Sequence, residues 1–252
     1  MTLGSTYCVI PARYQSSRFP GKPLQRLLGK EMILWVAEAC ERAVGRHNVI
    51  VATDDSRIQA TVEKSGFRVE LTSSSAMTGT DRVAEVASRL GGTTVLNVQG
   101  DEPMVNHVDI ASAAALHRKD PTFVVNGFIE LGPQEDPQRT TIPKVVTDLD
   151  GRLLYISRKD IPGSKGTEAA PHDAKFSKQV CIYAFSPAQL RKFAVVQQKT
   201  PLEQSEDIEI LRFLELGQPV KMFRTTSHSL AVDTPEDVAA VEEAMIASGF
   251  GA

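Results

Sequence analysis

VIVATDDSRIQATVEKSGFRVEL, residues 49–71, sets the fold. Val49–Thr53 is β-branched and apolar and reads as a strand. Ser56–Lys64 reads as a short helix ended by Ser65 and Gly66, and Phe67–Leu71 as the next strand. The same alternation extends outward in both directions. Tyr7–Ile10 is strand-like. From Glu31 to Val44 the apolar residues Ile33, Val36, Ala37, Cys40, Ala43 and Val44 recur at helical spacing, and Gly45 closes that helix. Asp81–Leu90 reads as a helix capped by Thr80, and Thr93–Val98 as a strand. Strands joined by helical crossovers run parallel, so this order predicts an α/β fold: a mixed, mostly parallel sheet with helices on both faces.

Beyond Pro121 the rhythm changes. Phe123–Phe128, Lys144–Thr147, Leu153–Ser157 and Val180–Phe185 are strand-like with little helix between them, and residues 163–178, polar and rich in Gly, Ser and Ala, read as a mobile loop. Alternation returns with an amphipathic helix over Glu203–Leu216, a strand at Val220–Arg224 and a last helix over Pro235–Ala247. That helix opens with Thr234 as cap, Pro235 in the first turn and two acids at the positive dipole end. The expected organisation is one α/β domain over residues 1–252 with a small antiparallel insertion at about 122–200.

The composition is that of an ordinary soluble protein, and a formal charge of −3 gives no electrostatic reason to expect nucleic acid as partner. No apolar run is long enough to span a bilayer, and the N-terminus lacks the basic region of a signal peptide, so a cytoplasmic protein is expected. Cys8, Cys40 and Cys181 are far apart in apolar surroundings and read as core residues, and the histidines show no zinc-ligand spacing.

Ligands of open α/β sheets bind at the carboxyl ends of the strands, and the chain puts suggestive residues there. After the first strand comes PARYQSSRFPGKPL (11–24), with Arg13, Arg18 and Lys22, small hydroxyl residues and a glycine, and no acid. Cations and backbone N–H groups at a strand end suit a triphosphate. The run is not a Walker loop, and no G-x-G-x-x-G follows the strand. NVQGDEP (97–103) puts Asp101 just past an apolar strand, where an acid can bind a hard cation that bridges phosphates; a turn acid fits the spacing equally. Asp233 follows Ala231 and Val232 in the same way. TGTDR (78–82) stands at a helix start, where it contacts a base or only caps the helix.

Taken together, PARYQSSRFPGKPL, VATDD (51–55), GTDR (79–82), NVQGDEP, KVV (144–146), LYISR (154–158), PLE (201–203) and VDTPED (232–237) resemble the 3-deoxy-manno-octulosonate (Kdo) cytidylyltransferases in order and spacing over nearly the whole chain. The resemblance implies the nucleotide-diphospho-sugar-transferase-like, Rossmann-like sheet. It also implies transfer of CMP from CTP to the anomeric hydroxyl of Kdo with release of pyrophosphate, for lipopolysaccharide or capsule assembly. It would put Arg13 and Lys22 on the CTP phosphates with Arg18 nearby, and Thr78, Arg82, Gln99 and the backbone near Ala12 at the cytosine. Asp101 and Asp233 would be magnesium ligands, and the chain a homodimer paired through the inserted region.

Three positions depart from the family pattern. Ala76 stands where the family has a histidine, Gln179 replaces a second histidine, and Ile210 replaces a glutamine. The last two fall where the resemblance puts the sugar, beside Arg158 and Glu209. Ile210 offers no hydrogen bond there. The chain therefore reads as an enzyme acting on Kdo or, alternatively, on a related keto-deoxy acid or other acceptor. A catalytically silent nucleotide-binding regulator is a further alternative, against which the retention of both Asp101 and Asp233 argues.

Overall fold

The computed structural model describes residues 5–16, 19–132, 135–163, 176–226 and 230–251. The chain opens with β1 (Thr6–Ala12), the short strands β2 (Arg26–Leu27) and β3 (Lys30–Glu31), and α1 (Met32–Val44). Next come β4 (Val49–Thr53), α2 (Ser56–Lys64), β5 (Arg68–Leu71), α3 (Gly79–Ala87), β6 (Thr94–Val98) and α4 (His107–Lys119). Strands β7 (Val124–Glu130), β8 (Lys144–Thr147), β9 (Leu153–Ser157) and β10 (Ser177–Phe185) follow. The chain then runs through α5 (Pro187–Val195), α6 (Pro201–Glu206), α7 (Ile210–Glu215), β11 (Val220–Arg224) and α8 (Asp237–Ala247).

Nine strands form one sheet whose main path is β11-β7-β10-β6-β1-β4-β5. β1 lies parallel to β4 and β6, β4 to β5, and β11 to β7, so four of the six junctions on that path are parallel. β10 enters antiparallel between β6 and β7, and β8 and β9 branch from it. The expected mixed sheet is thus the one the chain builds. Within 122–200, β7 and β10 lie inside the main sheet, and only β8 and β9 stand off its path.

The period of two along β1 divides the core between the two faces of the sheet. Cys8, Ile10 and Ala12 pack with Ile33, Val36 and Cys40 of α1 and Ile110 of α4. Val9 packs on the other face with Val83 of α3, Leu190 of α5 and Leu211 of α7. Helices α4 and α5 were not anticipated. The apolar stripe of α4 is built from small residues, Ala113 and Ala114 beside Ile110, and gives a faint periodic signal. The cue for α5 was local: Ser186 and Gln189 bond each other's backbone N–H groups as a capping box, with Pro187 in the first turn.

Several boundaries differ from expectation. β1 runs on to Ala12, α3 ends at Ala87, and β10 starts at Ser177, within the stretch expected as a loop; residues 164–175 of that stretch lie outside the described residues. The cap of α3 is Thr78, two residues before Thr80, because Asp81 returns a bond to the Thr78 N–H. The helix expected over 203–216 is broken into α6 and α7 by Asp207, which takes a left-handed conformation (φ 52°). The last helix starts at Asp237, not Pro235. The Asp237 carboxylate accepts from the backbone N–H groups of Asp233 and Thr234, and so shapes the turn before the helix.

The break between α6 and α7 turns Arg212 inward, where it is 0% exposed. Its guanidinium bonds both Glu203 oxygens (2.6 and 2.7 Å) and Asp81 Oδ1 (2.8 Å), and stacks over Phe193. Three helices are thereby tied at one buried cation. Arg212→Ala leaves the buried Glu203 uncompensated and takes a partner from the partly buried Asp81, and the expected loss is about 3–5 kcal/mol of unfolding free energy, measured by urea denaturation. A loss below about 1 kcal/mol would show that the tie contributes little.

Candidate active site

β1 ends at the buried Ala12, and Arg13 beyond it is exposed, with no hydrogen bond or ion pair among the described residues. The loop then doubles back. Gly21 donates its N–H to the Tyr14 carbonyl (2.8 Å) and adopts φ 77°, and a Cβ there would sit 3.1 Å from the Tyr14 ring. Glycine therefore satisfies both demands of this turn. The Arg57 guanidinium covers the same ring at 3.3 Å. Arg18 lies outside the described residues.

The return of the loop brings Lys22 to the end of β6. Its Nζ lies 2.8 Å from Asp101 Oδ2 and 3.9 Å from Asp233 Oδ1. Two acids far apart in sequence thus meet at one ammonium. Gly100 permits the approach of β6 to β1, because a Cβ would fall 2.9 Å from Ile33 Cδ1 and 3.4 Å from the Pro11 carbonyl. The Val232 N–H bonds the Asp101 carbonyl (3.0 Å), which locks the segment carrying Asp233 against the one carrying Asp101. Among the described residues no cluster of three or more His, Cys, Asp or Glu could hold a metal. Asp101 and Asp233 can supply two oxygen ligands around a position that a cation already faces, a donor set suited to a hard ion that takes its other ligands from phosphate and water.

On the side expected to meet the base, Gln99 is partly exposed, and its side chain makes no hydrogen bond among the described residues. Thr78 and Arg82 are placed differently. The Thr78 hydroxyl bonds Asp81 within the cap. Arg82 is 4% exposed and bonds Thr72 Oγ1 (2.5 Å), the Ser73 carbonyl (3.2 Å) and Asp54 Oδ2 (3.1 Å). It ties together the ends of β4, β5 and α3. Ala76 sits on the same loop, half-buried.

The four residues expected at the sugar fare unequally. Ile210 is 1% exposed and packs in the core under α7. Glu209 accepts from the N–H groups of Gly79 (3.0 Å) and Thr80 (2.9 Å) and from the Thr80 hydroxyl (2.5 Å). It binds the start of α3, and burial pushes its pKa up against those three bonds. The Arg158 guanidinium is spent on the carbonyls of Glu206 (2.5 Å), Thr140 (3.0 Å) and Asp207 (3.0 Å). These placements have one cause: the turn at Asp207 aims residues 209 and 210 into the protein and gives Arg158 carbonyls to bind. Gln179 is partly exposed and donates to Asn126 Oδ1 (2.9 Å).

Sequence reasoning missed several polar residues that shape this region. Lys144, 0% exposed, donates to the Arg158 (2.6 Å) and Arg139 (3.0 Å) carbonyls, and burial pushes its pKa down. Glu102 accepts from the Cys181 N–H (3.2 Å). Burial, reinforced by Glu102 and Asp101, pushes the Cys181 thiol up, so it stays protonated at neutral pH. Asn126, a lone amide in a β-branched strand, was the visible signal.

Phosphate-seeking cations and paired carboxylates gathered at the ends of β1 and β6, on a mixed sheet of this order, define a nucleotidyltransferase. Residues 7–222 match the cytidylyltransferase family. The chain belongs to the 3-deoxy-manno-octulosonate cytidylyltransferases within it. It is 40% identical to 3-deoxy-manno-octulosonate cytidylyltransferase of Syntrophotalea carbinolica, over 94% of this chain and 97% of that one. It is 39% identical to 8-amino-3,8-dideoxy-manno-octulosonate cytidylyltransferase of Shewanella putrefaciens, over 95% and 98%. Among solved structures it resembles CMP:2-keto-3-deoxy-manno-octonic acid synthetase complexed with CTP, with TM-score 0.87 and 33% identity over 97% and 99% of the two chains. Among the described residues no helix is long and apolar enough to cross a membrane.

Glu206 provides a pH test of this architecture. Its carboxylate accepts from the Ser157 hydroxyl (2.6 Å) and the Arg158 N–H (2.9 Å). Burial alone would raise its pKa, but those bonds outweigh burial and leave it below the ordinary 4.5. A depressed carboxyl stabilises the fold above its unfolded pKa and loses that contribution as pH falls through the folded value. The melting temperature of Glu206→Gln should therefore lie below that of the parent at pH 6–8, and the gap should narrow below about pH 4.5. A gap independent of pH would contradict the assignment.

Proposed function

We propose that this chain transfers CMP from CTP to the anomeric hydroxyl of 3-deoxy-manno-octulosonate, releasing pyrophosphate. The observation that carries the reading is the meeting of Lys22, Asp101 and Asp233 at the strand ends. Family membership supports the choice of CTP and Kdo, and the relative from Shewanella putrefaciens makes the 8-amino analogue the alternative acceptor.

In this reaction the anomeric oxygen attacks the α-phosphorus of CTP, and the bond to the bridging oxygen of the β-phosphate breaks. The chemistry asks the protein mainly for alignment and charge neutralisation. Exposed Arg13, with Arg18 in the same loop, receives the triphosphate, and Lys22 would pair with its oxygens. A magnesium ion held by Asp101 and Asp233 would neutralise charge on the phosphates. The backbone at Ala12 and the amide of Gln99 read the cytosine edge, while Thr78 and Arg82 hold the wall of the base site through α3. Of the four residues expected at the sugar, Gln179, whose Nε2 is held by Asn126, offers Oε1 to it; Arg158, Glu209 and Ile210 act by shaping the pocket.

Residues 122–200 supply acceptor contacts and the dimer contact. Leu149 and Leu154, exposed on the β8–β9 unit, give that homodimer an apolar surface. The reaction is assigned to the cytoplasm, where CTP is available.

Pyrophosphate release from CTP with magnesium should occur with Kdo or its 8-amino analogue. Asp101→Asn and Asp233→Asn should each lower kcat by about a hundredfold or more while leaving the melting temperature within a few degrees. Turnover within about threefold of the parent would rule out these ligands. Calorimetry should show CTP binding far more tightly than ATP, and equal affinities would contradict a pyrimidine site.

A further inference from the structure

β10 does not pair evenly with β7. Val180 faces Gly127 and Tyr183 faces Asn126, which leaves Cys181 and Ile182 in a bulge. The Asn126 side chain replaces the missing ladder bonds: Nδ2 donates to the carbonyls of Val180 (3.0 Å) and Ile182 (3.0 Å). Gly127 lets the bulge come close, since a Cβ there would lie 3.3 Å from the Val180 carbonyl. On the opposite side the Gln99 N–H reaches the Cys181 carbonyl (3.4 Å), and the Cys181 N–H donates to Glu102, the neighbour of Asp101. The bulge is therefore joined to the segment that carries the proposed metal ligand, and the proposed reaction puts the acceptor beside it.

Two carbonyls can be satisfied only by the NH2 end of the Asn126 amide, so its orientation is set by the backbone. Asn126 Oδ1 must then face Gln179, and the Gln179 atom that meets it at 2.9 Å must be Nε2. This chain of bonds leaves Gln179 Oε1 without a partner among the described residues.

We infer that Asn126 is a positioning residue for the acceptor: it props the β10 bulge and turns Gln179 so that Oε1 accepts a hydrogen bond from the incoming sugar acid. The inference rests on the proposed reaction. Asn126 itself is 0% exposed and touches no substrate; its effect passes through Gln179.

The test is a double-variant cycle on Asn126→Ser and Gln179→Leu, with kcat and KM measured separately for CTP and for the keto-deoxy acid the parent uses best. Each single variant should lower kcat/KM for the acceptor about fivefold or more, the effect of one lost hydrogen bond, through a raised acceptor KM with the CTP KM within about twofold. The double variant should be no worse than Gln179→Leu alone. Should Asn126→Ser fail to fold, Gln179→Glu replaces it, because a carboxylate cannot donate to Asn126 Oδ1 and should show the same acceptor-selective loss. Multiplying effects in the double variant, an equal rise in CTP KM, or a Gln179→Glu enzyme indistinguishable from the parent would overturn the role of Asn126 while leaving the reaction intact. A parent that forms a CMP conjugate with no keto-deoxy acid would overturn both.

Discussion

Two carboxylates that face one another repel, and the Lys22 ammonium is what lets Asp101 and Asp233 share one small volume. Much of the surrounding geometry serves that meeting. Gly21 returns the loop so that Lys22 arrives, Gly100 lets the chain after β6 lie close to α1 and the end of β1, and the bond from Val232 to Asp101 brings the C-terminal segment into place. A divalent ion delivered with a triphosphate would take over the neutralising role of the ammonium and release Lys22 to the phosphates. The charge of the site would then be balanced both before and after the substrate binds.

Around this centre, charged residues hold the walls, among them Arg82, Glu209 and Arg158, which the resemblance put at the substrates. Arg212, Glu203 and Asp81 join α6, α7 and α3. Glu209 secures the first turn of α3, and Arg82 fastens α3 to the ends of β4 and β5. On the other side Arg158, Lys144 and Glu206 fasten β9 to the turn at Asp207. Buried charges of this kind are costly unless paired, and breaking one pair leaves the partner stranded. That property makes them rigid supports for the exposed Arg13 and the partly exposed Gln99 and Gln179.

The sheet was legible because its strands are short, β-branched and separated by helices with clear stops, as in residues 49–71. Asp101 was legible as an acid just past β6. Asp233 was not legible as a strand-end acid, because no strand leads directly into it among the described residues, and only the fold brings it to Lys22 and Asp101. The acceptor side was not. A helical pattern continues unbroken from Glu203 to Leu216, and nothing in it announces the left-handed residue at Asp207 that buries Ile210 and turns Glu209 away. Likewise Asn126 reads as one polar residue in an apolar strand, and its meaning depends on a bulge in a strand more than fifty residues later. Contacts between distant segments, which depend on register and local backbone handedness, leave little trace in periodicity.

The central claim is that Asp101 and Asp233 hold one cation beneath a triphosphate. A crystal structure with CTP and manganese, with the metal located by its anomalous signal, addresses it most directly. The account predicts a metal peak within about 2–2.5 Å of an oxygen from each of the two aspartates, with the Lys22 ammonium moved onto phosphate oxygens. A metal that touches neither aspartate, with Lys22 still bound to Asp101, would contradict it.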